Sequence, residues 1–391
     1  MKYDFDQIID RRGTHSVKYD AVETHWGRTD LIPMWVADMD FATAPFVTEA
    51  VQQRCEQGLF GYTLPHEGYY QAIVQWNRDR YGWAIHKEQL QFVPGIVPGL
   101  AMAVNALTAV GDRILIQPPV YHPFAWVVER NGRQVVKNPL KWVDGRLRMD
   151  LEDFRRKVKG CKVFILCNPH NPGGLVWTEE ELREVARICA EESVVVFSDE
   201  IHADLTLPPH RHHPFASVCE EARQNSVTFM SPSKAFNMPG FAASHALIFN
   251  PSLRERFHRY MEACELGMGH VFAFIAVEAA YSQGTEWLSQ CLTYIQGNVD
   301  YVDEFLKEHA PRIKAIRPEA SFLVWLDCRE LGLTQPQLVD FFVDQAHLAL
   351  NDGAMFGQEG VGFMRLNVGA PRATIEKAMT QLAEAYRSLS V

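Results

Sequence analysis

The stretch KVFILCNPHNPGGLVWTEEELREVARICAEESVVVFSDE, residues 162–200, joins two apolar runs through a helical pattern. The runs at 162–169 and 194–200 are rich in β-branched residues and apolar at consecutive positions, which is typical of strands buried on both faces of a mainly parallel sheet. Between them, Thr178 and Glu181 have the spacing of a helix capping box. One helical stripe then carries Leu182, Val185, Ala186 and Cys189. This order of strand, helix and strand predicts an α/β fold.

Further apolar runs extend the pattern on both sides. They are LQFVPGIVPGL (90–100), RILIQP (113–118), SVTFMS (226–231) and SHALIF (244–249). The first of them ends in a Gly-Pro turn and is followed by a helical pattern, AMAVNALTAV (101–110). The runs predict the strands of one larger sheet with helices on its faces.

The last hundred residues have a different pattern. A long helix is predicted over about 285–310, strands at 321–327 and 362–368, and helices at 334–346 and 374–389. These elements predict a smaller α+β domain. We therefore expect residues 51–284 to form a large domain and residues 285–391 a small one, with residues 1–50 as a segment joining the small domain.

The composition excludes several classes of protein. The chain has 391 residues and a formal charge of −10, so it lacks the basic surface of a nucleic-acid binder. Its start carries charges throughout, unlike a secretory signal, and its apolar runs are too short to span a membrane. The eight cysteines form no CxxC pair, which indicates no zinc or redox site and favours a reducing cytoplasm.

Polar residues follow the predicted strands where each one ends. Because ligands bind beyond the carboxyl ends of parallel strands, these residues are expected to meet at one rim of the sheet. The amides of Ile96 and Val97, in the predicted turn that leads into the helix at 101–110, could bind an anion there. The side chains expected at the rim are Asn168, Asn171, Ser198, Asp199, Glu200, His202, Ser231, Ser233 and Lys234.

This inventory fits pyridoxal 5′-phosphate (PLP). Lys234 supplies an amine for the cofactor aldehyde, Asp199 an acid beside the pyridine nitrogen, and Asn171 a donor to the phenolic oxygen. Tyr121, after the strand at 113–118, is placed to stack on the ring. The phosphate is expected to contact the hydroxyls of Ser231 and Ser233 and the amides of Ile96 and Val97.

Other interpretations of these residues stay open. Lys234 alone could be a surface lysine, and Ser231 to Lys234 also spells S-x-x-K, the nucleophile motif of a class of serine hydrolases, although the K-T-G partner motif is missing. Asp199 could be a helix cap. Arg365, in an apolar strand, needs either a bound carboxylate or an internal acid. The histidine-rich HRHH (210–213) lies between prolines without suitable further ligands, so we expect an exposed loop and no metal.

The motifs NPHNPGG (168–174), SDEIH (198–202), SPSKAFNMPG (231–240) and RLN (365–367) occur in this order along the chain. The set resembles fold-type I PLP-dependent enzymes of the class I/II aminotransferase family. Two more stretches, ADMDFATAP (37–45) and GLFGYT (58–63), resemble the MalY/PatB cystathionine β-lyase branch. The resemblance covers nearly the whole chain and implies a mainly parallel seven-stranded sheet in the large domain.

The resemblance also implies roles for residues that the patterns alone leave undefined. It places Arg365 on the substrate α-carboxylate, with Asn171 and Ala37 as further substrate contacts. It implies a homodimer with shared active sites, in which Tyr62 reaches the phosphate in the neighbouring subunit. Two positions depart from many aminotransferases, which have tyrosine where this chain has His202 and a phosphate-binding arginine where it has Ala242.

The expected reaction begins with removal of the Cα proton of a bound amino acid by the Lys234 amine. The branch resemblance favours β-elimination of a cysteine S-conjugate such as cystathionine, giving a thiol, pyruvate and ammonia. Transamination between an amino acid and a 2-oxo acid uses the same residues and is the alternative. A PLP-binding regulatory module is the third possibility, although no DNA-binding segment precedes the two domains.

Overall fold

The computed structural model describes residues 2–389. The strands in chain order are β1 (Ile32–Pro33), β2 (Leu90–Val93), β3 (Arg113–Ile116), β4 (Gln134–Lys137), β5 (Lys141–Val143), β6 (Arg146–Arg148), β7 (Cys161–Cys167), β8 (Val195–Asp199), β9 (Ser226–Met230), β10 (Ser244–Leu247), β11 (Lys314–Ile316), β12 (Leu323–Asp327), β13 (Leu348–Ala349), β14 (Asn351–Asp352) and β15 (Phe363–Asn367).

The helices also follow in chain order. They are α1 (Val17–Asp20), α2 (Val22–Trp26), α3 (Pro45–Glu56), α4 (Glu67–Tyr81), α5 (Ile96–Leu107), α6 (Pro123–Arg130), α7 (Leu151–Lys157), α8 (Glu179–Glu191), α9 (Glu220–Gln224), α10 (Pro251–Ala263), α11 (Val271–Gln283), α12 (Thr285–His309), α13 (Gln335–Asp340) and α14 (Arg372–Ser388). Among residues 2–389, no helix is both long and apolar enough to cross a lipid bilayer.

The large sheet has seven strands in the order β2-β10-β9-β8-β7-β3-β4. Its strands from β9 to β4 are parallel, and β10 runs antiparallel to both of its neighbours. Cys167 pairs with Asp199, and Asp199 pairs with Phe229, so the carboxyl ends of three strands lie side by side. This register brings the polar residues after β7, β8 and β9 to one edge of the sheet.

The helix of the opening stretch forms as its sequence predicts. Thr178 Oγ1 accepts a hydrogen bond from the Glu181 amide at 3.1 Å, and Glu181 Oε2 accepts one from the Thr178 amide at 2.8 Å. This capping box fixes the start of α8. Its predicted apolar stripe is fully buried, which packs the helix onto the sheet. The α/β class and the seven-stranded sheet are therefore confirmed.

The structure adds to or departs from the sequence patterns at three places. Helix α5 begins at Ile96, five residues earlier than the pattern predicted, because Gly95 has a φ of 107° and Pro98 is tolerated in a first turn. Strand β4 was missed, since it is an edge strand of four residues whose side chains are at most half-buried. Strand β10 runs antiparallel to both of its neighbours, a detail that the prediction of a mainly parallel sheet left open.

The C-terminal region forms an antiparallel sheet in the order β11-β12-β15-β14, with α12 and α14 packed together beside it. The N-terminal segment reaches this region, because Ile32 of β1 pairs in parallel with Leu348 of β13. The junction of α11 and α12 at Gly284 coincides with the boundary proposed at residue 284, whereas residue 50 lies within α3, so the division of the chain stays a proposal.

Candidate active site

A cavity of about 210 Å³ lies at the carboxyl edge of the large sheet. It is bounded by the ends of β7 and β8, the start of α5 and the loop after β9. Most of the predicted site residues line it, and they come from six separate segments of the chain. These residues are Ala37, Ile96, Val97, Tyr121, Asn171, Asp199, His202, Ser233 and Lys234.

Lys234 enters the cavity from the loop after β9. Its Nζ atom donates a hydrogen bond to the carbonyl oxygen of Ala37 at 2.5 Å. Desolvation lowers the pKa of the Lys234 amine to about 8, with the Arg365 charge acting in the same direction and the Asp38 and Asp199 charges opposing it. A share of this amine is therefore neutral near pH 7, as a nucleophile or a general base requires.

Asp199 ends β8 and faces the same cavity. Its Oδ1 atom accepts a hydrogen bond from the Ile201 amide at 3.1 Å. Burial raises the pKa of the Asp199 carboxyl to about 7, and the nearby Glu200 adds to the rise. A cation placed against this carboxyl would favour its ionised form. The protonated nitrogen of a pyridine ring is such a cation.

Arg365 lies on β15 beside the cavity and is buried. Its Nη1 atom donates to Asn171 Oδ1 at 2.9 Å, and its Nη2 atom donates to the Trp35 carbonyl at 3.1 Å and to Asn351. All of these acceptors are neutral, and the Nε atom has no partner. Desolvation lowers the pKa of Arg365 to about 10. Within residues 2–389, the internal acid considered from the sequence is not found beside Arg365, and the buried cation is suited to binding a substrate carboxylate.

One end of the cavity offers groups that suit a phosphate. The amides of Ile96 and Val97 begin α5 and have no acceptor within the helix. Ser233 lines the cavity beside them, whereas Ser231 does not. Ser231 Oγ donates to the Ala243 carbonyl at 2.7 Å and accepts from the Ser233 amide at 3.1 Å. Ser231 therefore stabilises the loop after β9 without lining the cavity.

The serine-hydrolase interpretation finds no support in this loop. Ser231 Oγ is engaged by Ala243 and Ser233, and Lys234 Nζ is engaged by Ala37. The two side chains do not bond to one another, so the nucleophile and its base are not paired.

Three other predicted residues occupy distinct places. Tyr121 lines the cavity and packs edge-on against Phe124, so its ring is held in position. His202 is buried, its Nδ1 atom has no partner, and desolvation lowers the pKa of its ring to about 3. It is therefore a neutral group at the site. Tyr62 lies apart from the cavity of its own chain and is 96% exposed.

The histidine-rich segment was only partly interpreted correctly. His210 and Arg211 are exposed, but His212 is buried and its Nε2 atom lies 2.8 Å from Glu200 Oε2. Glu200 also accepts from Ser198 Oγ at 2.7 Å and from the Phe215 amide at 2.8 Å. The segment thus anchors the strand end that carries Asp199. The SDE motif includes Glu200, but no sequence pattern indicated that His212 would be its hydrogen-bond partner.

The comparisons with known proteins agree with this site. The chain matches the aminotransferase class I and II family over residues 29–382. It is 42% identical to the cystathionine β-lyase PatB of Bacillus subtilis, over 97% of this chain and 99% of that protein. It also resembles the PLP-containing crystal structure of cystalysin from Treponema denticola, with a TM-score of 0.96, 32% identity and full coverage of both chains.

A third relative is the PLP-bound C-S lyase from Staphylococcus hominis. Its structure gives a TM-score of 0.90 and 34% identity over 98% of this chain and 99% of that one. The chain belongs to the aminotransferase class I and II family. Within it, the chain is a PLP-dependent enzyme of the carbon–sulfur lyase branch, so the predicted family, fold type and cofactor are confirmed.

Proposed function

We propose that this enzyme cleaves cystathionine or a related cysteine S-conjugate by β-elimination. With cystathionine and water, the products are homocysteine, pyruvate and ammonia. The convergence of an amine, an acid and an amide on one cavity, next to a buried arginine with no acid partner within residues 2–389, carries the PLP chemistry that elimination and transamination share. The 42% identity to a cystathionine β-lyase over nearly the full length of both chains supports the choice of substrate.

Each side chain at the cavity has its own role in the proposed reaction. When bound, PLP withdraws electrons from the Cα atom of an amino acid and so makes its proton acidic. Arg365 holds the substrate carboxylate and thereby sets which Cα bond is presented to the cofactor. Lys234, with its lowered pKa, accepts the Cα proton. Asp199 keeps the ring nitrogen protonated, and Asn171 donates to the ring oxygen.

The remaining predicted residues are assigned to binding. Tyr121 covers one face of the ring, and Ile96, Val97 and Ser233 hold the phosphate. Ser231 supports Ser233 through their shared hydrogen bonds. His202 stays neutral and limits the space beside the ring, and Ala37 contacts the substrate from the other side of the cavity.

The proposal includes a homodimer. Four large apolar residues of one segment are exposed: Leu59 by 75%, Phe60 by 59%, Tyr62 by 96% and Leu64 by 74%. Exposed apolar runs of this kind mark interfaces between proteins. We propose that the segment covers the cavity of a second subunit, where Tyr62 contacts the phosphate.

We also propose a cytoplasmic location, since all eight cysteines are free thiols.

The assay for this function mixes the purified holoenzyme with cystathionine and measures pyruvate and free thiol. The expected result is one thiol per pyruvate with no requirement for a 2-oxo acid. L-alanine, which has no leaving group on Cβ, is the matched control and should give no pyruvate unless a 2-oxo acid is added. A strict requirement for a 2-oxo acid, with the aminated cofactor accumulating, would instead establish an aminotransferase.

A further inference from the structure

Residues Trp35–Phe41, here called the strap, cross the site between the two sheets. Except for Asp40, every carbonyl of the strap accepts a hydrogen bond from a side chain. Arg365 binds the carbonyl of Trp35 and Lys234 that of Ala37. Asn367 Nδ2 donates to the carbonyls of Val36 and Asp38, and Asn237 Nδ2 donates to those of Met39 and Phe41, each over 2.7–2.8 Å.

Asn237 joins the strap to the loop that carries Lys234. Its two amide hydrogens go to the strap carbonyls, and its Oδ1 atom accepts from the Met39 amide at 2.9 Å. Its own carbonyl accepts from Thr43 Oγ1 at 2.8 Å. The residue has a φ of 52°, a backbone conformation that asparagine tolerates better than most residues. Asn237 thus ties the Lys234 loop directly to the Met39–Phe41 end of the strap.

The position of the strap relative to Lys234 Nζ matters for the proton transfer that Lys234 is proposed to perform. Its Nζ atom has one hydrogen-bond acceptor within residues 2–389, the Ala37 carbonyl on the strap. An ammonium formed in this desolvated cavity needs an acceptor already in place. The nearby Asp38 carboxylate, also on the strap, favours the charged form. Both groups keep their positions only while the strap is held.

We propose that Asn237 is a positioning residue for Lys234. Through the strap, it sets the Ala37 carbonyl and the Asp38 charge at the distance at which the amine accepts and returns the Cα proton. The inference rests on the enzyme class given above, and it adds a role for a residue that touches neither cofactor nor substrate. A small displacement of such a group can cost about 100-fold in rate.

The test is a double-mutant cycle in the holoenzyme. We expect Asn237→Ala to lower kcat for thiol release about 10- to 100-fold with KM changed less than about threefold. In a Lys234→Ala background, with ethylamine added as a substitute base, the same substitution should change the rate by less than about twofold, because its partner is gone. An equal loss in both backgrounds would show a general structural role and overturn the proposal.

A second readout uses the cofactor-free protein. Hydrogen–deuterium exchange of the strap amides should speed up in Asn237→Ala, and in Arg11→Gln as well. Arg11 binds Asp38 and Asp40 from the outer side of the strap at 2.6 and 2.8 Å and is partly exposed, so its loss should not prevent folding. Arg11→Gln is expected to lower kcat in the same direction by a smaller factor.

The matched control is Asn138→Ala. Asn138 is a buried asparagine that donates to Asp153 at 2.9 Å and accepts from Gln117 at 2.9 Å, with no contact to the strap. It should leave both the strap exchange and the kcat-to-KM pattern unchanged. Unchanged strap exchange in both Asn237→Ala and Arg11→Gln, or the same change in Asn138→Ala, would contradict the inference.

Discussion

Arg365 Nη1 donates a hydrogen bond to Asn171 Oδ1 at 2.9 Å, between residues 194 positions apart in the chain. Because this bond occupies the amide oxygen, it orients the amide so that its NH₂ group is left for the cavity. The proposed carboxylate anchor and the proposed donor to the cofactor ring are therefore one connected unit. A change at Arg365 should affect both substrate binding and the electronic state of the cofactor.

The substitution Arg365→Lys tests this coupling. Lysine keeps the charge but cannot bind a carboxylate and Asn171 through one planar group. We expect kcat/KM for cystathionine to fall about 100-fold, a loss of about 3 kcal/mol of transition-state binding. The visible absorption band of the holoenzyme should also shift. Steady-state kinetics and a spectrum measure the two effects.

Arg133→Lys is the control for that variant. Arg133 is also a buried arginine, held by Thr108 and Asn105, and none of the three lines the cavity. It should leave kcat/KM and the spectrum unchanged even if it lowers stability. A drop in kcat/KM for Arg365→Lys without any spectral change would argue that Asn171 is oriented independently.

The substitution Asp199→Asn should abolish elimination yet stabilise the cofactor-free protein. Burial raises the pKa of Asp199 in the folded protein to about 7, above the ordinary value near 3.9. The folded protein therefore binds this proton more tightly than the unfolded chain does. Its free energy of unfolding falls as the pH rises from about 3.9 to about 7. Asparagine removes the cost of the buried charge. We expect a gain of at most about 4 kcal/mol above pH 7, and almost none near pH 4.

Urea unfolding of both cofactor-free proteins at pH 4.5 and 8 measures this difference. The midpoint of Asp199→Asn should exceed that of the unsubstituted protein more at pH 8 than at pH 4.5. A stability difference of the same size at both pH values would show that Asp199 is not a strained acid in the folded protein.

Capture of the cofactor should report the lowered pKa of Lys234. The neutral amine attacks the aldehyde, and desolvation lowers its pKa to about 8. The rate of band formation after mixing cofactor-free protein with PLP should therefore rise with pH and level off above about 8. The ratio of this rate to the rate for N-α-acetyl-lysine, whose amine titrates near 10.4, cancels the titration of PLP itself, and this ratio should stay constant below about pH 8 and fall above it.

The substitution Asp38→Asn provides a second test of the pKa of Lys234 by the same PLP-capture measurement. The Asp38 charge raises the pKa of Lys234, so its removal should move the inflection to lower pH. An inflection that stays near pH 10 in both proteins would show that the amine is not desolvated.

The exposed apolar segment makes the proposed dimer testable. Replacing Leu59 and Leu64 with serine should convert the holoenzyme to monomers in sedimentation velocity and weaken PLP binding, because each cavity would lose the segment of its neighbour. Val110→Ser, at another exposed apolar position that is 78% accessible, is the control and should leave the mass unchanged. A dimer that survives the double substitution would place the interface elsewhere.

The features predicted correctly from the sequence are those with a local cause. The capping box of Thr178 and Glu181 predicted the start of α8, and the structure confirms it. The consecutive apolar runs predicted the central strands of the large sheet. Parallel strands then brought Asn171, Asp199 and Lys234 together, because their carboxyl ends share one edge. The positions of Arg365 and Ala37 came from the family resemblance, since no local pattern specifies contacts across 190 residues or more.

The features that were missed depend on distant partners. The binding of Asn237 to the strap, of His212 to Glu200 and of Asn351 to Arg365 leaves no periodic or spacing signal. The start of α5 was misplaced because a proline near a helix start reads as a break, although the first turn tolerates it. Tertiary packing decides these contacts.

The central claim is that Lys234 is the amine that binds PLP. Borohydride reduction of the yellow holoenzyme, followed by peptide mass spectrometry, tests it directly. The account predicts a reduced phosphopyridoxyl group on Lys234 in the peptide containing SPSKAFNMPG, with loss of the visible band. Lys18 is a buried lysine, and it is paired with Asp40 at 2.8 Å. A label on Lys18 or any other amine, or a preparation that stays colourless with added PLP, would contradict the account.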